Sequence, residues 1–167
     1  DAHVYRATPA DAKTVKDAGL IIVNGLGFEG FMPRLIKGSG TKALVVTATT
    51  GIKPLEKKEE KGAHGHGHDH GKLDPHAWQS VENVKVYTAN IRDGLIKADP
   101  AGAEDYRKNA EAYLAALIAL KSELDATFAP IPREKRIIVT SHDALAYFGR
   151  ENGLTLEAVQ GVSTENE

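Results

Sequence analysis

The chain has 167 residues, 41% of them apolar, a formal net charge of −2 and no cysteine. That is enough apolar material for one core or two small lobes, and it excludes disulfides, thiolate zinc sites and thiol catalysis. Scattered basic residues exclude the concentrated positive face that nucleic acid requires, and no run approaches the roughly 18–20 apolar residues of a membrane-spanning helix.

The N-terminus, Asp1-Ala2-His3-Val4-Tyr5-Arg6, lacks the basic and apolar regions of a signal peptide and reads as a mature or trimmed form. Thr8-Pro9-Ala10-Asp11 predicts a helix start: Thr8 can cap, Pro9 suits the first helical position, and Asp11 places negative charge where the helix dipole favours it. Gly19 ends that helix. Residues 20–24 and 43–47 are continuous apolar runs, the pattern of strands buried on both faces, with a short helix predicted over 29–37 between them. This order predicts an α/β fold with parallel sheets.

Gly25-Leu26-Gly27-Phe28-Glu29-Gly30 spells GxGxxG after the first strand, the place of a dinucleotide fingerprint. Such a fingerprint needs a ribose-binding acid about 20 residues later, at the end of the next strand. Residues 43–51 read ALVVTATTG and contain none. A glycine-rich turn that brings a helix close to the sheet is the better account.

Residues 53–72 are Lys, Glu, Gly and His with almost nothing apolar, so they cannot offset their ordering entropy by burial and read as a mobile surface loop. His64, His66, His68 and His70 alternate there with Gly65, Gly67 and Asp69. Glycine maximises the freedom that chelation must freeze, so these four either capture divalent transition metals weakly or form a solvated spacer.

A helix over 80–98 follows, with Val84, Tyr87, Ile91 and Leu95 on one face. Asp99-Pro100 then predicts a new start, and Tyr106, Ala110, Tyr113, Leu114, Leu117, Leu124 and Phe128 continue an apolar stripe almost to Pro130. A helix of about 29 residues, roughly 43 Å long, exceeds a small domain and should leave one lobe and enter another. Residues 136–140 form a third strand candidate of the buried type, and a fourth begins near Leu156. The chain thus divides into an N-terminal α/β lobe (1–98), a long connecting helix (99–130) and the beginning of a C-terminal α/β lobe (131–167).

Three histidines lie outside the loop, each at a predicted strand-to-helix connection. His142 follows the third strand at its carboxyl end, where open α/β sheets place ligands. His76 follows Asp74-Pro75, where proline stiffens the backbone before a helix, and His3 precedes the helix at Pro9. Zinc takes neutral imidazole nitrogens in tetrahedral geometry, best from rigid elements. The three could converge on one crevice, although each could equally be a hydrogen-bonded structural residue. Asp74 and Asp143 adjoin them and read as orienting partners or caps.

Five stretches in order carry a resemblance: His3-Val4-Tyr5 leading to Thr8-Pro9-Ala10-Asp11; Asn24-Gly25-Leu26-Gly27-Phe28-Glu29; the His-rich loop closing on Leu73-Asp74-Pro75-His76-Ala77-Trp78; Ser141-His142-Asp143-Ala144-Leu145-Ala146-Tyr147-Phe148; and Gly161-Val162-Ser163-Thr164-Glu165. Together they resemble the zinc/manganese solute-binding proteins of ABC importers, the ZnuA/TroA-like family. The resemblance implies two α/β lobes joined by one rigid helix, with metal held between them by His3, His76 and His142. It implies a fourth ligand, an Asp or Glu or a water, from a part of the second lobe that this sequence does not contain. It also implies a strand before residue 1 and more of the C-terminal lobe, so a fragment is expected.

The implied role is capture of Zn(II) and its delivery to an ABC importer permease, with a periplasmic metallochaperone as a further partner. The receptor would be a monomer in the periplasm, or at the outer face of the cell membrane if lipid-anchored. Three imidazoles favour Zn(II) over Mn(II), which prefers oxygen ligands. A manganese receptor of the same family and a metal-storage or metallochaperone protein using the His-rich loop remain alternatives. A zinc enzyme would also fit three histidines and an open position, but the implied role involves no bond chemistry.

Overall fold

A computed structural model describes residues 5–57 and 73–160. His3, the four loop histidines and residues 161–165 lie outside these.

Helix α1 (Pro9–Asp17) starts as the sequence predicts, with a reciprocal capping box in which Asp11 N–H donates to the Thr8 hydroxyl and the Asp11 carboxylate accepts the Thr8 N–H at 2.7 Å. Strands β1 (Leu20–Val23) and β2 (Leu44–Thr47) pair in parallel around helix α2 (Met32–Ser39). The chain repeats this strand–helix–strand unit once more: β3 (Ile137–His142) and β4 (Thr155–Gln160) pair in parallel around helix α5 (Ala146–Asn152), which the sequence reading missed. Between the two units, α3 (Val81–Ala98) and α4 (Ala103–Phe128) pack against each other.

Gly94 is where α3 meets the first sheet. A Cβ there would collide with the Val46 side chain, so only glycine permits this approach. At the other end Phe128 meets Phe148 of α5 edge-on, with ring centroids 5.9 Å apart. Helix α4 thus meets the second unit directly and the first through α3.

Four expectations are corrected. Helix α4 begins at Ala103 and has 26 residues, because Pro100–Gly102 winds into a 3₁₀ turn and the Asp99 carboxylate accepts from the Tyr106 hydroxyl at 2.7 Å instead of capping a helix. Helix α2 begins at Met32 and not near residue 29, because the Gly25-Leu26-Gly27 turn keeps φ positive at all three positions and delays the helix. The strands are also less buried than their apolar runs suggest. Burial alternates along β3, leaving Ile137 57% and Val139 70% exposed. Among the described residues one sheet face is covered and the other open, so hydrophobic content alone overestimated burial. Tyr113, assigned to the α4 stripe, is likewise exposed.

Apolar burial is modest: Ile21, Ala48, Ala77, Val81, Ala110 and Leu117 are buried. The largest fully buried side chains are Tyr147, His76 and Asp74. The most deeply enclosed point is thus polar, and it lies where the two strand–helix–strand units meet.

Candidate metal centre

The Gly25 turn shapes one wall. The Asn24 and Gly25 N–H groups both donate to the Glu29 carboxylate, at 2.6 and 3.2 Å. In a dinucleotide site those donors would face a pyrophosphate, but here the chain supplies its own anion. Gly25 has φ of +89°, and a Cβ would lie 2.6 Å from Thr47 Cγ2 and 2.8 Å from Thr49 Oγ1. The glycine serves this close approach to β2.

The turn presents Asn24 to the His76 segment. Its amide donates to the Pro75 carbonyl at 3.0 Å, while its side-chain oxygen accepts from the Tyr87 hydroxyl at 2.6 Å. Burial, followed by the electrostatic influence of neighbouring Tyr147 and Glu29, raises the Tyr87 phenol far above its ordinary range, so it stays a donor. Tyr87 was assigned to an apolar helix face, and its polar tip was missed.

His76 itself is 2% exposed and Asp74 1%. One Asp74 carboxylate oxygen lies 2.7 Å from His76 Nδ1 and accepts the His76 backbone N–H at 2.9 Å. A carboxylate on Nδ1 places the ring proton there and directs the Nε2 lone pair outward, the tautomer a metal-binding imidazole needs. Downstream, Gln79 N–H donates to the His76 carbonyl, and Ser80 caps α3 by accepting the Asn83 N–H at 3.1 Å. Phe28 and Trp78 flank the ring, with His76–Trp78 centroids 5.3 Å apart. His76 is thus held by Asp74 and Trp78 from its own segment and by Phe28 from the Gly25 turn.

His142 ends β3, paired in register with Gln160, and its carbonyl accepts from the Thr140 hydroxyl and from Ala144 N–H, both at 2.9 Å. The fold brings it to His76, with ring centroids 5.6 Å apart and planes at 67°. Two imidazoles bound tetrahedrally to one ion at about 2.1 Å would hold their centroids about 5.3 Å apart. The separation of the two rings is of the size that shared coordination of one ion requires. Among the described residues no set of three or more His, Cys, Asp or Glu converges as a metal cluster, and the candidate third histidine, His3, lies outside them.

A cleft of about 240 Å³ is lined in part by Leu55, Asp74, Asp143, Ala146 and Arg150, so it includes the sequence neighbours of the two histidines but neither histidine itself. Asp143 is 7% exposed. The ends of the predicted loop approach here, where Glu56 and Leu73 form an antiparallel bridge. The stem of that loop is therefore ordered at residues 53–57, where composition suggested mobility.

The family profile described as "Zinc-uptake complex component A periplasmic" (ZnuA) matches residues 1–167. The chain is 37% identical to the manganese-binding lipoprotein MntA of Halalkalibacterium halodurans, over 100% of this chain and 52% of that protein. It is 36% identical to the iron-binding protein YfeA of Yersinia pestis, over 92% of this chain and 47% of that one. Its structure superposes on the periplasmic zinc binding protein TroA from Treponema pallidum with a TM-score of 0.84 at 29% identity, covering 100% of this chain and 57% of that one. The chain thus spans about half the length of the relatives it matches.

Proposed function

Because the chain belongs to the ZnuA family, we propose that it is part of an extracytoplasmic receptor that captures Zn²⁺ and delivers it to the permease of an ABC importer. The ion is cargo and no bond chemistry is involved. The observation that carries this reading is His76, buried, oriented by Asp74 and set 5.6 Å from His142 by ring centroids. His3 is the third proposed ligand. Residues 1–98 and 131–167 are proposed to act as lobes on either side of the site, with 99–130 as the stiff connector.

Zinc is favoured on ligand chemistry, since three imidazoles suit it better than the oxygen-rich sets of manganese. Relatives named for manganese and iron support a second reading, a manganese receptor of the same family. The four loop histidines are proposed as auxiliary weak collectors. The family description and the lipoprotein names of relatives support a location in the periplasm or, if lipid-anchored, at the outer face of the cell membrane. Function as a monomer, with a periplasmic metallochaperone as a further partner, belongs to the same proposal.

Competition calorimetry decides between the metals. One tight Zn²⁺ equivalent that excess Mn²⁺ does not displace is expected. Tighter Mn²⁺ binding would move the assignment to manganese, and several weak equivalents with no tight one would favour storage by the loop.

A further inference from the structure

Tyr147 is fully buried, yet its hydroxyl is fully engaged in polar contacts. It accepts the Leu55 N–H at 2.9 Å and donates to the Asp74 carbonyl at 2.8 Å. The ring of bonds closes because Asp74 N–H donates to the Leu55 carbonyl, also at 2.8 Å. Leu55 belongs to the stem that bridges to Leu73, Asp74 orients His76, and Tyr147 sits in α5, five residues after His142. One hydroxyl therefore joins the base of the His-rich loop, the His76 segment and the unit that carries His142. Arg150 lies over the ring, 5.4 Å from its centroid, and stacks it in place.

We infer that Tyr147 is a positioning residue for the metal site, whose hydroxyl locks the His76 segment to the unit bearing His142 and so sets the spacing of the two imidazoles. The inference rests on the reading that His76 and His142 bind metal. Packing alone would not require an oxygen here, since a phenyl ring would fill the same space. The hydroxyl is needed because the Leu55 N–H and the Asp74 carbonyl both meet the fully buried Tyr147 side chain, and a phenyl ring would leave each without this partner. Both partners are remote in sequence, so the contact controls how two separate segments sit relative to each other.

The test is Tyr147→Phe in the full chain, titrated with Zn²⁺ alone. A 10- to 100-fold loss of zinc affinity is expected, on the order seen when outer partners of metal ligands are removed, together with faster zinc release. In the metal-free protein, ¹⁵N resonances of His76 should show a mixture of ring tautomers where the parent shows Nδ1–H. A lower Tm with zinc affinity, release rate and tautomer all unchanged would mean a purely structural role and overturn the proposal. If Tyr147→Phe fails to fold, replacing the Leu55 amide by an ester removes only the N–H. Several-fold weaker zinc binding in that variant supports the proposal, and unchanged binding overturns it. His76→Ala runs alongside. If it too binds zinc like the parent, the ligand assignment falls, whereas loss of binding in His76→Ala with none in Tyr147→Phe sinks the positioning role alone.

Discussion

Asp74 holds His76 twice, with the same carboxylate oxygen 2.7 Å from Nδ1 and 2.9 Å from the backbone nitrogen. Replacing it should hurt both stability and binding. Asp74→Ala leaves a buried ring N–H without its acceptor, at about 1–3 kcal/mol, and releases the tautomer. We expect a lower Tm and a zinc affinity reduced roughly 10- to 100-fold, with Asp74→Asn milder because its amide oxygen can still accept. Calorimetry that finds Asp74→Ala equal to the parent would remove Asp74 from the site.

His76→Ala and His142→Ala should each lower zinc affinity by orders of magnitude, because each removes a proposed ligand. Their Tm values should differ: His76 is buried among Asp74, Trp78 and Phe28, so its loss leaves a cavity and costs more stability than loss of the half-buried His142. Thermal melts of the metal-free variants check the order.

Deleting residues 63–71 should abolish additional weak zinc equivalents and leave the tight one nearly intact, since the Glu56–Leu73 bridge closes the stem below the deletion. Loss of the tight site in that variant would reverse the division of labour between loop and pocket.

Gly25→Ala should be destabilising by about 1–3 kcal/mol, because the added methyl meets Thr47 and Thr49 at a positive-φ position. The damage should reach the metal, since Asn24 beside it holds the Pro75 carbonyl. Urea unfolding and a zinc titration of one sample would test both.

The helix α1 cap should respond to acid. Asp11 is held below its ordinary value of 3.8, first by the Thr8 backbone N–H, then by the Thr8 and Tyr5 hydroxyls. A lowered folded-state value means the contribution is fully present above the unfolded value and is lost as pH falls through the lower folded one. Asp11→Ala should therefore lower Tm at pH 7 and converge with the parent once the pH has fallen well below the ordinary carboxylate range. A constant difference across that range would exclude the carboxylate as its source.

What could be read in the chain follows the range of each interaction. The Thr8–Asp11 box, the Asp74–His76 pair and the Ser80 cap join residues within three positions of each other, so local composition carries their geometry. The apolar runs likewise announce four strands, because continuous Val, Ile and Leu between turn residues has few other uses. Burial was less legible: whether Val139 is covered depends on what lies across the sheet, and the run itself is silent about that. The approach of His142 to His76 was suggested by family resemblance and by strand-end placement, but its 5.6 Å spacing is decided by how the two units pack. The contacts that hold the site together, Tyr147 with Asp74 and Leu55, Asn24 with Pro75 and Tyr87, span 51 to 92 residues. No pattern in the chain encodes them, because a tyrosine on an apolar helix face looks the same whether its hydroxyl reaches solvent or a buried carbonyl. Sequence determined which histidines are candidates and, through neighbouring Asp74, the tautomer of His76; tertiary packing alone decided which of them meet and at what separation.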